Sequence, residues 1–216
     1  MMAPVTHLAR AERYALCETF LAVGPDAPTL CSPWRSRDLA AHLVLRESRP
    51  DLTAGIVIPA LAGRLERTQH DRAMKDWPDL VRDFRQGPPM WWPARLRILD
   101  DAANLSEFYI HHEDVLRAAD EPMSRELDPG LEAALWSSIK RHGPLAVRRS
   151  PVGVVLVAEG HGRAAVMRPG TGGTVVLHGA PGELVLHLSG RQDHARVHIT
   201  GEPADVSAFE QVKFGI

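Results

Sequence analysis

Apolar residues recur at helical spacing through the first half of the chain and in short, glycine-punctuated runs through the second. Pro4 to Ala22 predicts a first helix, with Leu8, Ala11, Ala15, Cys17, Phe20 and Leu21 as apolar positions and Gly24-Pro25 as its stop. Ser36 is the predicted N-cap of a second helix running to Ser48, with Asp38 in its first turn and Arg49-Pro50 ending it. A third helical stretch begins near Pro59, is interrupted at Trp77-Pro78, restarts there toward Phe84 and breaks at Gly87-Pro88-Pro89. A fourth is expected from Pro93 to Ala119, with no Gly or Pro after Pro93. Four helices with short connections predict an antiparallel bundle.

Beyond Asp120-Glu121-Pro122 the texture changes. One more helix is predicted over Pro129–Arg141, followed by strands at Val152–Ala158, Ala164–Arg168, Thr174–Leu177, Leu184–Leu188 and Ala195–Thr200. Gly-rich turns at this spacing suggest an antiparallel meander, with Pro203–Phe214 as a closing helix. The expected organisation is therefore residues 1–120 as a helical bundle and 121–216 as a small α+β domain: mainly α, with a second, antiparallel-sheet domain.

Charge narrows the function classes. The chain carries 25 Lys+Arg against 27 Asp+Glu, a formal net charge of −2, without the basic excess of a nucleic-acid binder. No apolar run approaches the ~18–20 residues of a membrane span. His7, Arg10, Glu12 and Arg13 stand where a signal peptide needs apolar residues, so a cytoplasmic location is expected. Cys17 and Cys31 make no disulfide framework and no C-x-x-C pair, and read as small packing residues, with Cys31 close enough to Trp34 to line a cleft.

Eleven histidines are present, and two stand out by position. With the fourth helix drawn at 100° per residue, Leu96, Leu99, Ala103, Glu107, Ile110, His111 and Asp114 fall within about 60° of one line. Glu107 and His111 thus share an apolar stripe one turn apart, while His112 points elsewhere. On the second helix, Leu39, His42 and Leu43 form one face, so His42 also looks inward. A carboxylate on such a stripe costs several kcal/mol unless it is paired or bound to a cation. His42, Glu107 and His111 are accordingly candidate metal ligands, leaving an open coordination position, with Asp114 a candidate acceptor for an imidazole N–H. The competing account is a hydrogen-bonded core histidine beside a simple i,i+4 pair.

Trp34-x-x-x-Asp38-Leu39-Ala40-Ala41-His42-Leu43, followed by Glu107-x-x-x-His111-His112-x-Asp114, resembles the DinB/YfiT-like metal-binding bundles. More narrowly it resembles the mycothiol-dependent maleylpyruvate isomerase group of actinobacteria, and within it a largely uncharacterised subgroup of metal-binding proteins. The resemblance implies a four-helix metal-binding domain joined to a C-terminal α+β domain. It assigns the metal triad to His42, Glu107 and His111. Nitrogen and carboxylate donors suit one divalent ion there, Zn²⁺ first, with Ni²⁺ or Fe²⁺ as alternatives. The resemblance further implies mycothiol as thiol cofactor, held as thiolate on the metal to attack a small electrophile, as an isomerase or S-transferase does. The alternative function is a non-catalytic metal- or ligand-binding protein. Neither nucleic acid nor membrane is expected as a partner, and the chain is expected to be a monomer or homodimer.

Other features carry less. Gly160-His161-Gly162-Arg163-Ala164-Ala165 imitates a dinucleotide fingerprint, but Pro169-Gly170 follows where a helix must open, so a hairpin turn is expected. His112-Glu113 starts an H-E-x-x-H protease motif that Leu116 ends. His178, His187, His194 and His198 read as surface or hairpin-edge residues, with His187 opposite the leucines of its strand. His70, Asp71, Arg82, Arg85, Arg95 and Arg97 read as solvated faces, and Trp77, Trp91 and Trp92 as packing at one end of the bundle.

Overall fold

The computed structural model describes residues 5–49, 59–87, 101–119, 121, 125–170 and 172–214. Among them run α1 (Val5–Val23), α2 (Ser36–Ser48), α3 (Pro59–Ala73), α4 (Trp77–Gln86), α5 (Asp101–Leu116) and α6 (Pro129–Ala146). There follow β1 (Gly153–Ala158), β2 (Gly162–Met167), β3 (Thr174–His178), α7 (Pro181–Leu188), a short 3₁₀ turn, β4 (His198–Thr200) and α8 (Pro203–Glu210). The chain forms two compact units that divide between Arg125 and Glu126, a few residues beyond the composition change at 120.

The first unit is all helix, α1 to α5. Its core is laid down by Leu16 and Phe20 of α1, Leu39 and Leu43 of α2, Leu80 and Phe84 of α4, and Phe108 of α5, all essentially fully buried. Phe20 meets Trp77 and Phe84 edge-on at 5.7 and 6.3 Å, and Phe84 meets Phe108 at 5.4 Å, the edge-to-face geometry that aromatic quadrupoles favour. The Arg13 guanidinium lies over the Phe84 and Phe108 rings while donating to Glu47 Oε2 at 2.6 Å. The expected break in the third stretch is a turn at Met74–Asp76, after which Pro78 sits in the first turn of α4.

Two expectations about the helices change. Ser36 is the first residue of α2, not its N-cap: its Oγ donates to Ala27 O, and Arg35 takes the cap position with its N–H bonded to Asp38 Oδ2 at 2.9 Å. The N-terminal part of the fourth predicted helix, with Leu96, Leu99, Arg95 and Arg97, lies outside the described residues, as do Trp91 and Trp92. Helix α5 is described from Asp101, and its buried apolar residues are Leu105, Phe108, Tyr109, Val115 and Leu116. Glu107 sits at the edge of that core with a 36% exposed side chain.

The second unit is a four-stranded sheet in the order β2-β1-β3-β4 with three helices. The sheet is mixed, not an antiparallel meander. Consecutive strands do alternate in direction, but β1 lies between β2 and β3, so β1 and β3 pair in parallel from Gly153↔Thr174 to Val157↔His178. The chain from β2 to β3 must cross the start of β1. A Cβ at Gly153 would come within 2.8 Å of Pro169 N and 2.7 Å of Thr174 Oγ1, so only glycine leaves room for that crossing. Gly160-His161-Gly162 forms the β1–β2 hairpin turn, as its surroundings predict.

Leu184–Leu188, expected as a strand, is the body of α7. Leu184, Val185, Leu186, His187 and Leu188 are all buried, so the run shows no alternation from which a strand period could be told from a helical one. Pro181 in the first turn and Glu183 near the helix N-terminus favour the helix. The corollary is that His187 is a core residue, 6% exposed, its ring parallel to Phe209 at 6.2 Å and beside Phe214 at 6.1 Å. Helix α6 runs past Arg141 through Gly143-Pro144 to Ala146, with Gly143 closely approached by Val166 of β2. Among the described residues, no helix is long and apolar enough to cross a membrane.

Candidate metal centre

Helix α5 ends in four consecutive buried ionisable residues, His111, His112, Glu113 and Asp114, and each turns to a different partner. Their exposures are 8%, 3%, 1% and 0%, a burial that such groups reach only when paired.

His111 Nδ1 is 2.9 Å from Asp114 Oδ2, and its Nε2 is 3.6 Å from Glu107 Oε2 one turn back. Across from it on α2, the His42 ring meets His111 edge-on at 5.5 Å and stacks obliquely against Trp34 at 5.0 Å. The ligand-capable atoms of His42, Glu107 and His111 all lie within 4.8 Å of one another. Two imidazole nitrogens and a carboxylate oxygen at this separation can hold a divalent ion. The three residues named from the sequence are thus brought together, and Asp114 stands behind His111 as expected.

The protonation states follow from what surrounds each group. Burial would raise the Glu107 carboxyl, but the His111 hydrogen bond, the Arg46 guanidinium 3.5 Å away and the neighbouring imidazoles outweigh it and hold it at about 2. Burial drives the His42 ring down to about 4, helped by the positive potential of His111 and Arg46 against the opposing Glu107. Burial acts the same way on His111, but hydrogen bonds to Asp114, Cys31 and Glu107 carry it well above the ordinary histidine value. Near neutrality Glu107 is ionised and His42 neutral, the forms in which both ligate.

Sequence reasoning took Cys31 for a packing residue, and it does pack, partly buried, against the core; it also makes polar contacts that its spacing did not show. Cys31 sits in the loop between α1 and α2, which is pinned to α5 by Leu30 N–H donating to Asp114 O at 3.0 Å. Within the loop, Thr29 Oγ1 donates to Trp34 O at 2.8 Å and accepts from Cys31 N–H at 3.2 Å. This places Cys31 Sγ 3.0 Å from Asp114 Oδ2 and 3.9 Å from His111 Nδ1. Cys31, His111 and Asp114 make a second group that can hold a metal ion. Cys17, in contrast, is buried in the core with its thiol pushed up to about 11, which is the packing role expected of it.

Beside the centre, His112 turns to α1. Its Nδ1 lies 2.8 Å from Glu12 Oε1 and its Nε2 2.7 Å from Thr19 Oγ1. Arg125 donates to Glu12 from both terminal nitrogens, at 3.2 and 2.6 Å, and from Nε to Glu113 at 2.8 Å. Arg117 holds the other Glu113 oxygen at 2.7 Å. Burial works against the ionised Glu12, but His112 and Arg125 keep its carboxyl below the ordinary value. The sequence signal for this network was Glu12 between Leu8 and Leu16, a charge at a helical core position.

The remaining candidates are peripheral. His70 and Asp71 are exposed. Arg82 and Arg85 pair on the surface with Asp79 and Glu18 at 2.7 and 2.8 Å. Of the second-unit histidines, His178 and His198 face each other across β3 and β4 at 6.2 Å. No family model, curated protein or solved structure matches the chain.

Proposed function

We propose that the chain binds one divalent metal ion through His42, Glu107 and His111 and uses it on a small-molecule thiol, as the resemblance to the DinB/YfiT-like and mycothiol-dependent isomerase proteins implies. The observation that carries the reading is the convergence of three ligand atoms from two helices within 4.8 Å, with a fully buried carboxylate behind one of them. The donor set fits Zn²⁺, Ni²⁺ or Fe²⁺. A divalent ion held by three protein ligands supplies an open position on which a thiol is kept as thiolate.

The chain's own residues then have defined tasks. Asp114 accepts the His111 Nδ1–H, which fixes the tautomer and turns Nε2 to the ion. Trp34 limits the rotation of the His42 ring. Arg46, one turn beyond His42, faces Glu107 and keeps it ionised. On this reading the reaction is an isomerisation or an S-transfer to a small electrophile, with mycothiol as the thiol.

A non-catalytic binding role is favoured by one observation: Glu107 is already neutralised by Arg46 and His111 without any ion. Tag-free protein analysed for bound metals, then titrated with a thiol, separates the two. The expected result is one divalent ion per chain, lost in His42→Ala and Glu107→Gln, with thiol binding that depends on the ion. Metal without thiol binding supports the non-catalytic role, and protein that takes up neither Zn²⁺ nor Ni²⁺ sinks both.

A further inference from the structure

The two ligand groups share His111 but approach it from opposite ring nitrogens. Glu107, grouped with His42, lies on the Nε2 side, and Cys31 and Asp114 lie on the Nδ1 side. A neutral imidazole carries one proton and offers one lone pair. With the proton on Nδ1, donated to Asp114, the lone pair faces Glu107. With the proton on Nε2, toward Glu107, it faces Cys31 and Asp114. We infer that the chain has two alternative, mutually exclusive ion positions back to back across the His111 ring, and that a thiophilic ion takes the Cys31–Asp114–His111 position.

The geometry of the second position supports this. Its three ligand atoms are separated by 3.0, 2.9 and 3.9 Å. Tetrahedral bond lengths place sulfur, nitrogen and oxygen ligands about 3.3–3.5 Å apart around one ion, so each contact needs to change by only about 0.5 Å. The loop is tied to α5 by Leu30 and internally by Thr29 and Trp34, which holds the sulfur in place before any ion arrives. His111, held protonated by Asp114, Cys31 and Glu107, has both ring nitrogens bearing hydrogen before an ion arrives. Binding at this position releases the Cys31 thiol proton and the His111 Nδ1 proton to solvent and keeps Nε2–H, leaving thiolate, carboxylate and neutral imidazole nitrogen as ligands. Ligand softness then sorts the ions: a thiolate-containing set favours a soft ion, and the imidazole and carboxylate set a borderline one.

The inference rests on the reading above only for the borderline ion at His42, and the test separates the two. Full-length protein is titrated with Cd²⁺ and, separately, Co²⁺, under ultraviolet and visible absorption, with metal content measured after dialysis. Cd²⁺ should bind at one per chain with a thiolate-to-cadmium band that survives His42→Ala and vanishes in Cys31→Ser. Co²⁺ should show d–d bands without a sulfur band, and retain them in Cys31→Ser. Prior loading with Cd²⁺ should weaken Co²⁺ uptake at least about tenfold. Cys31→Ala, with circular dichroism on both variants, guards against a folding defect. A missing cadmium–thiolate band, a band that needs His42, or simultaneous retention of both ions overturns the inference. A Cys31→Ser protein that takes no Co²⁺ while the wild-type cadmium band stands overturns the His42 reading instead.

Discussion

Arg125 bonds two carboxylates that are 5% and 1% exposed, Glu12 and Glu113, and so ties α1 to the end of α5. Arg125→Met keeps the length of the side chain and removes its charge. Breaking a buried ion pair by deleting one partner costs about 3–5 kcal/mol, because the remaining charge loses its compensation. Here Glu12 keeps His112 and Glu113 keeps Arg117, so the lower end, about 3 kcal/mol, is expected. At about 1.4 kcal/mol per tenfold, that is a more than 100-fold rise in the opening equilibrium. Native-state hydrogen exchange read by mass spectrometry on peptides from α1 and α5 measures it directly. Arg85→Met is the control. It deletes an ion pair whose side chains are 44% and 63% exposed, and should cost under about 1 kcal/mol. If protection in α1 and α5 falls equally in the two variants, the network is not what closes this end of the helical unit.

Three further outcomes are expected. Burial holds the folded His187 ring down at about 4 against 6.5, so the unfolded chain binds the extra proton. Its contribution is complete above pH 6.5 and is lost as pH falls toward 4, about 3 kcal/mol in all, so wild-type urea midpoints should drop relative to His187→Leu across that window. Parallel curves for the two proteins would refute the assignment. Gly153→Ala should destabilise the second unit by about 2 kcal/mol, measured by urea unfolding, since the added methyl meets the backbone nitrogen and ring of Pro169 as well as Thr174 Oγ1. Asp114→Asn should weaken Zn²⁺ binding by roughly 10–100-fold in a competitive chelator titration while the helical circular dichroism is retained; an unchanged affinity would remove Asp114 from the centre.

The helical half was legible because helix periodicity is local. The spacing of Glu107 to His111, and of Leu39, His42 and Leu43, needs nothing beyond 3.6 residues per turn, and the structure brings those residues together. Cys31 was not legible as part of the site, since its position depends on a hydrogen bond from Leu30 to Asp114, more than eighty residues away. The sheet shows the same limit. Strands β1, β2 and β3 could be read from their valines and glycines, but the insertion of β1 between its successors is decided by tertiary pairing. Helix α7 was misread because total burial erases the contrast on which periodicity depends. Pro181 and Glu183 were the local signals that outweighed it.

The four buried ionisable residues at the end of α5 have a consequence for how the protein can change. A one-residue slip of that helix turns it by about 100° and mispairs all four side chains at once. The orientation of His111 is therefore guarded by Glu12, Arg117 and Arg125, none of which belongs to the proposed ligand set. An inherited or engineered change of metal chemistry has to leave that lock standing. The ligands alone, moved onto another bundle, would arrive without the residues that aim them.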